Sequence, residues 1–81
     1  MNDISYKDYY SRSNSSILQE LGQFVKNHRL DLNLTQTQVA KKAGISRSTL
    51  SLLERGETIT LNNFIQILRE IEQLESLKTF H

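Results

Sequence analysis

Thr-Gln-Thr-Gln-Val-Ala-Lys-Lys-Ala-Gly-Ile-Ser-Arg-Ser-Thr-Leu-Ser-Leu-Leu-Glu-Arg-Gly, residues 35–56, reads as two short helices meeting at a glycine turn. Thr35 is a helix cap, and Gln38, three residues on, is placed to reach back to the cap's own amide. Leu34 and Val39 hold the flanking positions where apolar side chains pinch the incoming chain against the first turn. Gly44 permits the left-handed backbone that ends this helix, because it has no Cβ to meet the following carbonyl. Ser46 caps the next helix, with Ile45 and Leu50 in the matching apolar positions, and Gly56 supplies its stop. Leu50 and Leu53, three apart, share one side of that second helix, while Arg47, Ser48, Ser51 and Thr49 are left off it. Two capped helices, one tight turn and a polar ridge of short side chains form the layout of a helix-turn-helix that enters the major groove of DNA.

Working outward, Ser16 with Gln19 makes a capping box for an earlier helix whose apolar residues Ile17, Leu21, Phe24, Val25 and Leu32 keep mostly to one side. Gly22 weakens that helix by up to ~1 kcal/mol relative to alanine, so another backbone is expected to approach closely there. Asn33 tolerates the left-handed turn that would end it. Downstream, residues 57–59 read as a loop, and Thr60 caps a further helix in which Leu61, Phe64, Ile65, Ile67, Leu68 and Ile71 are spaced for burial. Leu74, Leu77 and Phe80 recur every three residues, which suits either a short last helix or a strand paired across a dimer interface. The expectation is an all-α fold: a compact four- to five-helix domain over residues 17–81, its helix-turn-helix at about 35–54, with 72–81 a candidate for the dimer interface. Residues 1–16 are polar and crowded with serine, which predicts a flexible arm. Tyr6, Tyr9 and Tyr10 are its exception, placed to pack onto a partner or onto the domain's own surface.

A chain of 81 residues makes one domain with a marginal core, so association with a second copy is expected on size alone. It has no cysteine, which excludes disulfides and thiolate metal sites and fits a reducing cytoplasm. His28 and His81 are far apart with no neighbour at ligand spacing, so no metal or other cofactor is expected. No apolar run approaches the ~20 residues that span a bilayer, and the first residues lack the basic start and apolar stretch of a secretion signal. A soluble, cytoplasmic protein without membrane association is expected. The net charge of +1 says little by itself. Its distribution says more: Lys26, Arg29, Lys41, Lys42, Arg47 and Arg55 outnumber Glu20, Asp31, Glu54 and Glu57 within residues 17–60, whereas 61–81 carry an acidic excess.

The pattern resembles the Cro and lambda-repressor-like helix-turn-helix family, often called XRE. The resemblance is carried by Leu34-Thr35-Gln36, Ala40, Gly44-Ile45, Leu50, Leu53, Glu54-Arg55-Gly56 and Thr60-Leu61, in one order and spacing over about residues 17–71. It implies a lambda-repressor-like fold, a phosphate contact from Gln36, and a structural ion pair between Arg29 and Glu54. Residues 59–68 also resemble HipB-like antitoxins, which bind DNA as dimers and hold a HipA-type kinase toxin. Two departures stand out: Ile59 occupies a place where many relatives have proline, and Leu52 one where several have a polar or basic residue. Leu52 is suited either to a thymine methyl group or to packing against a neighbour.

Duplex DNA presents phosphates, which position a protein, and base edges, which specify sequence. Thr35 and Gln36, at the amide-rich start of their helix, together with Lys41, Lys42 and Arg55, are the candidate phosphate ligands. Ser46, Arg47, Ser48, Thr49, Ser51 and Leu52 are the candidate base readers, with Arg47 foremost because its guanidinium can give two parallel hydrogen bonds to guanine. One such module reads few base pairs, so a homodimer on a pseudo-palindromic operator is expected, acting as a transcriptional repressor. The alternative is a HipB-like antitoxin that binds a kinase-like toxin and autoregulates its operon. No nucleophile–base set and no glycine-rich phosphate loop is present, which argues against an enzyme.

Overall fold

A computed structural model describes residues 11–75 and 77. Four α-helices follow one another among them: α1 Asn14–Asp31, α2 Gln36–Ala43, α3 Arg47–Glu54 and α4 Leu61–Glu70, with no strand. The expected all-helical class is therefore what the chain adopts. Helix α1 packs chiefly on α3, and α2 packs on both α3 and α4. Their shared core is Val25 from α1, Val39 from α2, Leu50 and Leu53 from α3, and Ile67, Leu68 and Ile71 from the end of α4. This is an aliphatic core, and α2 and α3, at 8 residues each, are too short to be stable alone and depend on packing against it.

Each helix starts on a hydroxyl cap. Thr35 Oγ1 accepts the Gln38 amide while Gln38 Oε1 accepts the Thr35 amide, so the capping box read from the sequence is formed. Ser46 and Thr60 likewise accept the amides of Thr49 and Asn63. The start of α1 differs from expectation. Ser13, not Ser16, is the cap, accepting the Ser16 amide at 3.1 Å, so residues 14–16 are helix. The Ser16 hydroxyl instead accepts hydrogen bonds from Arg12 Nε and Nη2, at 3.2 and 2.8 Å. Four consecutive cap-forming residues, 13–16, make the local signal degenerate, and the Arg12 contacts select among them.

The helices also share one way of stopping. Among the described residues, Asn33, Gly44, Gly56 and Glu72 have positive φ, and each follows a helix. After each, the next amide reaches back to a carbonyl five residues earlier: Leu34 to Arg29, Ile45 to Ala40, Glu57 to Leu52 and Gln73 to Leu68, at 2.8–3.2 Å. This is the Schellman turn, which satisfies carbonyls that the helix end leaves open. Asn33 and the two glycines were legible as stops. Glu72 was not, because glutamate has no intrinsic preference for a left-handed backbone.

Beyond that turn, residues 74, 75 and 77 are in 3₁₀ conformation. Leu74 and Leu77 rest partly buried on the core of their own chain. Phe80 and the rest of 78–81 lie outside the described residues, as do Tyr6, Tyr9 and Tyr10. Leu61, expected among the buried residues of α4, is 72% exposed: it opens the helix on its outer side.

Candidate nucleic-acid interface

Gly22 brings α1 and α3 together. A Cβ at this position would strike the carbonyl oxygens of Leu53 and Glu54, so the last turn of α3 lies directly on the α1 backbone, the close approach that the sequence predicted. That seating turns the Leu50–Leu53 side of α3 inward, both residues being at most 3% exposed. At about 100° per residue, Ser48 and Arg55 then point most directly away from the core, with Leu52 and Ser51 on either side of them and Arg47 at the flank. Arg47, Ser48, Leu52 and Arg55 are exposed, Thr49 and Ser51 half-buried. Leu52 is 37% exposed and is neither in the core cluster nor among the partly buried residues packed against it.

The hydroxyls divide into two groups. Ser46 Oγ holds the Thr49 amide at 3.1 Å and the Thr49 hydroxyl at 2.8 Å, so both side chains serve the start of α3. Ser48 Oγ lies 3.1 Å from Ser46 Oγ yet remains on the exposed side. Arg47 is the first residue of α3 and is exposed.

A groove runs from this first turn to the start of α2. Arg47 lines one side of it, and Thr35, Gln36 and Thr37 line another, with Leu30 and Asn33 at the end of α1. Two of the expected phosphate ligands are thus brought beside the leading base reader. Thr37 was missed by sequence reading. Its position just inside the α2 cap, beside amides that have no partner within the helix, was the available signal. Lys41 and Lys42 are exposed in the last turn of α2, and Arg55 caps the far end of α3. None of the three lines the groove. The lysines lie roughly 8 Å along the axis from Gln36, where they complement the carbonyl end of the helix.

Behind the groove lies an ion pair. Arg29 Nε donates to Glu54 Oε2 at 2.7 Å and Nη2 to Oε1 at 3.0 Å, a two-pronged pairing. Nη1 donates to the Leu34 carbonyl at 2.8 Å. The two side chains are 8% and 4% exposed, so water does not compete for these bonds. Gln36 Nε2 also donates to Glu54 Oε1, at 3.0 Å, a bond no sequence signal announced. One carboxylate therefore ties the end of α3 to the last turn of α1 and to the first residue of α2, and it orients the Gln36 amide.

The described residues include no group of three or more histidine, cysteine or acidic side chains able to hold a metal ion. No helix among them is long and apolar enough to cross a membrane. Two capped helices that present an exposed, polar first turn beside an amide-rich helix start define a helix-turn-helix DNA-binding domain. A family model described as helix-turn-helix matches residues 25–72, and the chain belongs to this family, of the XRE or Cro/C1 type. It is a DNA-binding regulator of transcription.

Proposed function

We propose that the protein is a sequence-specific repressor that binds a pseudo-palindromic operator as a homodimer, each copy laying α3 in the major groove. The observation that carries this is the joint exposure of Arg47, Ser48 and Leu52 on the outer side of α3, beside the Thr35–Thr37 start of α2. In this arrangement Gln36 and the amides at the start of α2 fix the domain on a phosphate, Arg47 reads guanine, Ser48 either base type, and Leu52 a thymine methyl group. Lys41, Lys42 and Arg55 add to the positive field rather than to the central contacts. Two copies set half-sites about one DNA turn, ~34 Å, apart, and give affinity that a single module lacks.

A toxin-holding role has less support. Much of the stretch resembling HipB-like antitoxins is engaged in the chain's own interior, with Ile67 and Leu68 in the core and Ile59 and Phe64 packed against it. Selection of bound fragments from random duplex DNA, followed by mass measurement of the complex, tests the proposal. The expected result is a motif with two-fold symmetry carrying two chains. A single asymmetric site occupied by one chain would refute the dimeric reading.

A further inference from the structure

Arg12 folds back along the helix it precedes. Its Nη1 donates to both carboxylate oxygens of Glu20, at 3.0 and 3.1 Å, while Nε and Nη2 hold the Ser16 hydroxyl. These partners lie within the first two turns of α1, so the chain is held against the flank of that helix just before Ser13. Glu20 is also one wall of an apolar hollow of about 310 Å³ made with Ile17, Leu21 and Phe24. Leu21 is shared with a second hollow, about 260 Å³, whose other side includes Ile59, Leu61 and Phe64. The strip is apolar and open: Leu21 is 37% and Leu61 72% exposed. Single exposed leucines are ordinary, but two that border adjoining apolar hollows form a continuous surface of the kind that binds something.

We propose that this strip is the docking site of residues 1–10 of the same chain, whose tyrosines supply the apolar contact. All three tyrosines of the protein lie in this short segment, next to the point where Arg12 anchors the chain beside the strip. Tyrosine suits a hollow that is apolar at its base and open to water, since the ring is buried while the hydroxyl stays wet. Length is sufficient: residues 4–10 extended reach roughly 23 Å, against roughly 10 Å along α1 from Ile17 to Phe24. A tethered segment meets its own strip at an effective concentration in the millimolar range, which favours it over a second copy's arm in dilute solution.

The absence of cysteine allows a single nitroxide label at Asn2→Cys in the full-length chain. In an isotope-labelled sample, the label is expected to broaden and weaken the amide signals of Leu21, Phe24 and Leu61 while sparing α2. Replacing Tyr6, Tyr9 and Tyr10 together by serine should restore those signals without changing the spectrum of α2 and α3. A second sample mixes isotope-labelled chain without nitroxide and unlabelled chain carrying it, and no broadening is expected there. Broadening in the mixed sample would assign the strip to the arm of a second copy and overturn the proposal. Undiminished Leu21 and Leu61 signals in the first sample would overturn it outright.

Discussion

Arg29 and Glu54 have two kinds of neighbour: each other, and groups that belong to the DNA-facing groove. Truncating one partner of a buried, two-pronged pair leaves the other charged in a dry place, so Glu54→Ala is expected to destabilise by ~3–5 kcal/mol in a urea melt. Replacing both residues by apolar ones of similar volume should recover much of that stability. It should still weaken DNA binding, since Gln36 would lose the acceptor that orients it. Arg47 has the opposite character, exposed and outside the core cluster. For Arg47→Ala, an unchanged melt is expected together with a loss of roughly 1–3 kcal/mol of discrimination at one position of each half-site, read on a panel of operator variants. Gln36→Ala should instead weaken all sequences alike. Identical behaviour of the two variants across the panel would contradict the division between reading and positioning.

At the scale of elements, the helix ends carry the sharpest expectations. Alanine at Gly22 improves helix propensity by up to ~1 kcal/mol, but its Cβ would meet the carbonyls at the end of α3. Backbone on both sides cannot rotate away as a side chain would, so the clash should win and Gly22→Ala should lower stability by ~1–3 kcal/mol. Glu72 presents the reverse case. It holds φ +62° in the turn after α4, a conformation unfavourable by ~1–2 kcal/mol for a residue with a side chain. Glycine removes that strain at some cost in chain entropy, so Glu72→Gly should raise stability by ~0.5–1 kcal/mol in thermal or urea melts. A destabilised Glu72→Gly variant would show that the glutamate side chain contributes more than its backbone strain removes.

For the molecule as a whole, the proposed docking sets the start of α2 in each copy against a phosphate, within the positive field of Lys41, Lys42 and Arg55, so affinity should fall steeply with salt. A plot of log affinity against log salt, measured by gel shift, is expected to be linear with a slope near −0.9 per phosphate neutralised. A flat plot would refute the docking. The net charge of +1 makes this a test of local arrangement, since a diffuse field from so small a charge could not produce such a slope. Core size sets a second expectation: Leu50 is fully buried, and Leu50→Ala should lower stability by ~2–5 kcal/mol, a large share of what a domain this small possesses.

The chain by itself determined its helices and most of their ends. Caps at Thr35, Ser46 and Thr60 and stops at Asn33, Gly44 and Gly56 are local chemistry, complete within a few residues of sequence. The close approach at Gly22 was also legible, because a glycine inside a helix needs a reason. Tertiary structure decided what depends on several elements at once. The choice of Ser13 over Ser16 was local too, made with Arg12 contacts four and eight residues along the chain. Tertiary structure set the left-handed turn at Glu72, after which Leu74 and Leu77 pack on the core. Through the Glu54 carboxylate it joined Gln36 to Arg29, and by seating Leu50 and Leu53 inward it left Arg47, Ser48 and Leu52 on the exposed side of α3. The physical reason is range: a cap is satisfied by its own next turn, whereas burial and ion pairing are settled only when distant segments meet.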